Sequence, residues 1–215
     1  YLLVVAAAEP KADWFIVDRY LCAAELMGID AGIIFNKVDV EHESTTEILD
    51  DFLRIGDAVG QCSATTGAGS EDHRELLQTH CAIIVGQSGV GKSSIINCLL
   101  GDEVQRTADI SEKSREGRHT TVNSAMISLP GGGVIIDSPG VRDYAPALAS
   151  STVASQGFRE IESTAQHCRF ANCRHLREPG CAVKDAVENG AISERRYESY
   201  KRIVNLTEQL STGRY

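Results

Sequence analysis

Gly86-Gln87-Ser88-Gly89-Val90-Gly91-Lys92-Ser93 fits the phosphate-loop spacing G-x-x-x-x-G-K-[ST] without a mismatch. Its flanks agree. Cys81 to Val85 reads as a short buried strand entering the loop, and Ser94 to Leu100 as the first turns of a helix leaving it. Glycines let the backbone fold tightly enough for its N–H groups to converge on phosphate oxygens, and the helix adds the positive end of its dipole. Lys92 is then expected to reach the β and γ phosphates, and the Ser93 hydroxyl to hold a magnesium ion.

Upstream, Tyr1 to Ala8 is a continuous apolar run, the pattern of a strand buried on both faces. A helix over Asp13 to Met27, closed by Gly28, leads to a second buried strand, Ala31 to Phe35. That strand runs into Asn36-Lys37-Val38-Asp39, which matches the guanine-recognition motif N-K-x-D. The Asp39 carboxylate can accept two hydrogen bonds from guanine N1–H and the 2-amino group, and adenine would leave it unpaired. The stem of Lys37 is expected along the base, and Asn36 to tie neighbouring loops. After a helix over Ser44 to Ile55 and a strand over Ala58 to Cys62 comes Ser63-Ala64-Thr65-Thr66-Gly67, in which the Ala64 N–H is expected at guanine O6. A short helix from Glu71 to Gln78 leads into the phosphate loop.

Downstream, Asp102 to Arg118 is polar and without apolar period, and reads as a mobile loop. Thr121, or Thr120 before it, is the candidate switch threonine for magnesium and the γ-phosphate. Strands at Val122 to Leu129 and Val134 to Ile136, joined by Pro130-Gly131-Gly132-Gly133, form a hairpin that delivers Asp137-Ser138-Pro139-Gly140, a D-x-x-G motif. Asp137 is expected to bond a magnesium-bound water and Gly140 N–H to face the γ-phosphate. The place after this motif holds Val141, which cannot orient water, so His119 is the candidate group for that task. Catalytic candidates are therefore His119, Lys92 and Thr121.

The base-binding motifs precede the phosphate loop, the reverse of the usual order. A parallel sheet can be reordered along the chain without moving its site, so the expected fold is α/β. It is a circularly permuted P-loop GTPase sheet with helices on both faces, plus a small C-terminal helical zinc-binding domain. In that tail Cys168-x4-Cys173-x-His175-x5-Cys181 offers three thiolates and an imidazole within 14 residues, a set suited to tetrahedral zinc. A helix over Ile192 to Leu210 spaces Ile192, Tyr197, Tyr200, Ile203, Val204 and Leu206 for burial and leaves Arg195, Arg196, Lys201 and Arg202 outside, as a solvated face or a phosphate-backbone contact.

The chain of 215 residues carries a net charge of −9, which argues against a surface that grips nucleic acid all over. Residues 1–158 hold 11 Lys+Arg against 22 Asp+Glu, but residues 159–215 hold 10 against 8, so an anionic partner would meet the tail. Seven irregularly spaced cysteines form no disulfide framework, and Cys22, Cys81 and Cys98 read as buried thiols of a reducing cytoplasm. No apolar run approaches the ~20 residues that cross a membrane. The chain opens inside a strand without an initiator Met, so an N-terminal portion is expected ahead of Tyr1.

Taken together, the motif order, Gly-Gln-Ser-Gly-Val-Gly-Lys-Ser, His119-Thr120-Thr121, Asp137-Ser138-Pro139-Gly140-Val141-Arg142 and the Cys-Cys-His-Cys set resemble the ribosome small-subunit-dependent GTPase family (RsgA, also called YjeQ). The resemblance implies a GTPase domain over 1–150, a zinc-binding domain over 151–215, and a preceding OB-fold domain that this chain lacks. It implies GTP/GDP, Mg2+ and Zn2+ as cofactors and a cytoplasmic monomer that binds the small ribosomal subunit and its 16S rRNA late in maturation. GTP hydrolysis would be stimulated by the ribosome. Nucleotide-contacting residues are then Asn36, Lys37, Asp39, Ser63, Ala64, Gly86 through Ser94, Asp137 and Gly140, with Cys168, Cys173, His175 and Cys181 on zinc and Ser93 and Thr121 on magnesium. A P-loop ATPase or kinase, and a zinc RNA-binding module without significant turnover, are the alternatives.

Overall fold

The computed structural model describes residues 1–101, 125–137 and 151–212. The loop from Asp102 to Arg118, His119, Thr120, Thr121, Ser138-Pro139-Gly140 and Val141 lie outside them. The chain forms two compact units that interleave along the sequence: Tyr1–Asp13, Ala31–Thr45 and Ala58–Tyr144 make the first, and Trp14–Asp30, Thr46–Asp57 and Ala145–Tyr215 the second.

The first unit holds the sheet. Its strands are β1 (Leu2–Ala7), β2 (Ala31–Asn36), β3 (Ala58–Gln61), β4 (Cys81–Gly86), β5 (Ala125–Ser128) and β6 (Val134–Asp137), in the spatial order β3-β2-β1-β4-β6-β5. Neighbours are parallel except β5, which returns antiparallel on β6 through the Pro130–Gly133 turn. The central strand β1 is buried at every residue, as its unbroken apolar run requires. Leu3, Val5 and Ala7 join Ile34, Ala82, Ile84 and Ile135 in a core with Leu77 of α3 (Ser70–Leu77) and Ile95, Ile96 and Leu99 of α4 (Lys92–Leu100). Full burial of such side chains stabilises by about 1.5–3 kcal/mol each. Val4, Ala6, Ile33 and Phe35, on the opposite face, are buried too. The expected burial of Cys81 fails. It alternates with Ala82 onto the other face and is exposed there beside Ile83, whereas Cys22 is buried and Cys98 half-buried.

The second unit is helical: α1 (Trp14–Met27), α2 (Thr46–Arg54), a 3-10 helix (Ser151–Gly157), α5 (Arg159–Ala165), α6 (Ala182–Glu188) and α7 (Glu194–Thr212). Phe15, Cys22, Phe158, Ile161, Val183, Ile192, Tyr200, Ile203 and Val204 form its core. Two expectations for α7 are corrected here. Leu206 is 38% exposed, and Arg196 is not outside but 3% exposed. Its Nη1 donates to Asp18 Oδ1 at 2.7 Å and its Nε to Glu160 Oε1 at 2.8 Å, with the guanidinium over the Phe158 ring. Arg195 donates to the other Asp18 oxygen at 2.7 Å. Sequence spacing placed both arginines on a polar face, but Asp18, fully buried on α1, gives that face an anionic partner. Burial opposes the charge on Arg196, yet Asp18 and Glu160 hold its pKa above the ordinary guanidinium value.

Removing Asp18 strips Arg196 of a partner it cannot replace with water. Asp18→Ala is expected to lower stability by about 3–5 kcal/mol, read from urea unfolding followed by the fluorescence of Trp14.

Candidate functional site

Because β1, β2, β3, β4 and β6 run parallel, their carboxyl ends share one edge of the sheet. Asn36-Lys37-Val38-Asp39 follows β2, Ser63-Ala64 follows β3, the phosphate loop follows β4, and Asp137 ends β6. Segments far apart in sequence therefore meet on that edge.

The loop Gly86–Ser93 is wound tightly. Gly86, Gly89 and Gly91 take φ of 141°, 82° and 93°, in the region that favours glycine. A β-carbon at Gly86 would collide with the Val5 carbonyl oxygen, and one at Gly91 with Asn36 Nδ2. Such a cradle, followed by the nine-residue helix α4, fits a bound phosphate chain. Val90 is fully buried and anchors the loop, whereas Ser88, Ser93 and Ser94 are exposed. Lys92 Nζ donates to the carbonyls of Gly86 and Gln87, both at 2.8 Å, so the ammonium lies folded over the loop.

Asn36 is 1% exposed. Its Nδ2 donates to Val90 O at 2.9 Å, and its Oδ1 accepts from Ala64 N at 3.1 Å and from Cys62 Sγ at 3.5 Å. One carboxamide thus joins the phosphate loop to the loop after β3. Lys37, with φ of 63°, donates from Nζ to Gly89 O at 2.8 Å, a second tie from the end of β2 to the phosphate loop. Asp39 is exposed, in a turn closed by Val40 N–H to Lys37 O. Ser63 is buried and its Oγ accepts from Thr66 N at 3.1 Å, which shapes the turn presenting Ala64. His119, Thr121 and Gly140 fall outside the described residues.

In the second unit, Cys168, Cys173, His175 and Cys181 bring one ligand atom each within 4.8 Å of one another. Cys168 Sγ and Cys181 Sγ are 3.9 Å apart, and each lies 3.5 Å from His175 Nδ1. Zinc–sulfur and zinc–nitrogen bonds of about 2.3 and 2.0 Å at tetrahedral angles require edges of about 3.8 and 3.5 Å, so the set fits that ion. Burial pushes the Cys173 thiol up to about 12 and raises Cys181, so thiolates here need a cation beside them.

Three features of this knuckle escaped the motif reading. Glu178 accepts backbone N–H bonds from Arg174, Leu176 and Arg177 at 3.0–3.2 Å. Burial opposes its ionisation, but these donors outweigh it and pull its pKa to about 2. Tyr197 and Tyr200 of α7 donate to the carbonyls of His175 and Arg174. Their i,i+3 spacing was legible only as core. In the first unit the Gln87 side chain was also missed: its Oε1 accepts from Asp13 N at 3.0 Å.

A sequence profile of the family described as RsgA GTPase matches residues 1–146. A protein of Hahella chejuensis named small ribosomal subunit biogenesis GTPase RsgA is 42% identical over 206 residues, covering 94% of this chain and 59% of its own length. A protein of the same name from Haemophilus influenzae is 38% identical over 218 residues, covering 100% and 63%. The chain thus spans about three fifths of these relatives. Among solved structures, YjeQ from Thermotoga maritima matches with a TM-score of 0.78 at 28% identity, over 100% of this chain and 72% of that one. YloQ, described as a circularly permuted GTPase, matches at 0.76 and 26% over 97% and 68%.

Asn36→Ala would leave Val90 O and Ala64 N without their partner, and is expected to cost about 1–3 kcal/mol per buried group in urea unfolding. Glu178→Gln removes an acceptor whose stabilisation is present above the ordinary carboxylate value of 4.5 and lost as pH falls toward about 2. At neutral pH this variant should bind zinc about tenfold more weakly in competition with a chromophoric chelator.

Proposed function

We propose that this chain, which belongs to the RsgA GTPase family, hydrolyses GTP to GDP and phosphate in the maturation of the small ribosomal subunit. The observation that carries this reading is the Asn36 carboxamide holding the phosphate loop and the Ser63-Ala64 loop together on one sheet edge. A phosphate cradle and a base-recognition loop are useful at that spacing only to a ligand that has both a phosphate chain and a base.

In this reading Gly86 through Ser94 bind the phosphates, and Lys92 leaves its loop carbonyls for the β and γ oxygens, where it offsets charge spreading in the transition state. Asp39 reads guanine N1–H and the 2-amino group, Lys37 lies along the base, and Ala64 N–H faces O6. Ser93 and Thr121, with Asp137 through a water, are assigned to hold magnesium, which would neutralise phosphate charge. Gly140 N–H is assigned to the γ-phosphate. His119 is assigned to orient the attacking water, since Val141 is apolar. Cys168, Cys173, His175 Nδ1 and Cys181 would hold zinc, which would supply folding energy to the tail.

The division into a GTPase domain over 1–150 and a zinc domain over 151–215 belongs to the same proposal, as do the cytoplasmic setting, the monomer and the 16S rRNA partner. For the last, support comes from an 840 Å3 cleft beside the knuckle, lined by Phe170, Arg169, Asn172 and Gln166. Phe170 is 41% exposed and the Arg169 guanidinium stands 5.4 Å from its ring centroid, a pairing suited to unstacked bases.

Asp39→Asn tests the base assignment. It should weaken GTP and GDP binding at least a hundredfold and shift preference toward xanthine nucleotides in fluorescence titrations. Unchanged choice among guanine, xanthine and adenine nucleotides would overturn it.

A further inference from the structure

The four cations that helix spacing put outside on α7 have different fates within the second unit. Arg196 is buried between Asp18 and Glu160, Arg195 is bonded to the other Asp18 oxygen, and Lys201 pairs with Glu198. Among the described residues, Arg202 is the one of the four that forms no salt bridge. It is exposed, and its guanidinium stands 3.7 Å from the Phe15 ring centroid. Arg19 of α1 stands 5.6 Å from the same centroid, and it too forms no salt bridge among the described residues.

Two like charges therefore share one ring. Their guanidinium carbons can be no farther apart than those two distances laid end to end, which is comparable to the ~8 Å over which salt screens exposed charges. Nothing local relieves the repulsion. The positions one turn from Arg19 are Phe15, Ile16, Cys22 and Ala23, and the acid one turn from Arg202, Glu198, is engaged by Lys201. Asp18, next to Arg19, has both oxygens engaged by Arg195 and Arg196. What holds the two cations is the face of Phe15, a ring only 7% exposed. Ring contact uses the flat side of a guanidinium and leaves its N–H fork directed outward, and neither fork donates to an acceptor among the described residues.

We propose that Arg19 and Arg202, seated on Phe15, grip one backbone phosphate of RNA. The proposal rests on RNA being a partner of this chain. A phosphodiester carries a single negative charge over two non-bridging oxygens, so each fork can take an oxygen while the charge lies against both cations. The ring sets both forks in advance, so less side-chain freedom is lost on binding than at two free surface arginines. A strand of RNA can meet the pair alone, whereas a flat anionic membrane would also meet the net charge of −9 that the chain carries. The contact positions the strand and reads no base.

The test uses the full chain and a fluorescein-labelled RNA hairpin, with binding followed by anisotropy over a salt series. Arg202→Gln and Arg19→Gln should each weaken binding on the order of threefold or more, by the same factor for hairpins of different sequence. The double variant should lower the slope of log K against log salt by about one, the signature of one lost phosphate contact. Lys201→Gln removes the same charge from the neighbouring residue, but from a cation already paired, and should stay within about twofold of the unaltered chain. Arg202→Gln alters an exposed residue, and an unchanged urea midpoint checks that its fold is retained. An equal loss in Lys201→Gln, or unaltered RNA binding in the double variant, overturns the proposal while leaving RNA as the partner. So does a loss seen only with vesicles of anionic lipid. If the unaltered chain binds no RNA, the proposal and the RNA reading fall together.

Discussion

The sheet edge that carries the phosphate loop depends on satisfying one buried carboxamide. Asn36 sits at the end of β2 almost without solvent contact, so its donor and acceptor must find protein partners or cost stability. The Val90 carbonyl and the Ala64 amide meet that need together, and they belong to loops after two different strands. An aspartate in its place would lose the donor toward Val90, and a leucine would lose both. The loops are thereby registered to each other by the fold itself, before any ligand orders them, and preorganisation of this kind raises affinity without adding contacts.

That registration explains why the shuffled order of motifs is harmless. The binding edge is made by adjacency in the sheet, where β4 lies between β1 and β6, and not by sequence. To bring β4 there, the chain must cross from the edge strand β3 past β2 and β1, a lateral span of about 14 Å at ~4.8 Å per strand. The segment carrying α3 makes that crossing, pinned by Leu77 in the core, and a surface connection of this length imposes little cost. Strand pairing is conserved under such a rearrangement because each parallel ladder needs its neighbours, not its neighbours' place in the chain.

Much of this was readable from residues. The buried runs Leu2–Ala7 and Ala31–Asn36 announced parallel strands, and the phosphate loop and Asn36-Lys37-Val38-Asp39 announced what stands at their ends. The Cys/His spacing named four atoms that the fold does gather. What escaped reading was long-range and polar. Arg196 looked like a surface cation because helix periodicity knows nothing of Asp18, 178 residues away, and Asp18 itself was hidden within an apolar helix pattern. Gln87 was read only as one of the nucleotide-contacting residues of its loop, because the partner of its side chain is a backbone amide, which leaves no trace in sequence. Cys81 was misplaced because alternation in a strand fixes opposite faces but not whether both are covered.

The second unit solves a different problem. Its helices α5 and α6 have seven residues each, too short to persist alone in water, where nucleation is unfavourable. They need a spine, and α7, with 19 residues, supplies it. An apolar seam would have given the same energy, since buried ion pairs return little more than their desolvation. What Arg195, Arg196 and Asp18 add is register: two donors on successive α7 residues meet two oxygens of a single carboxylate, and sliding α7 by one turn, about 5.4 Å, would leave a buried charge unpaired. The Tyr197 and Tyr200 hydroxyls impose the same condition on the knuckle, because each reaches one named carbonyl. Polar contacts therefore fix where α7 sits along α1 and along the Cys/His loop at once, and a helix so constrained at both sides can only move as a piece.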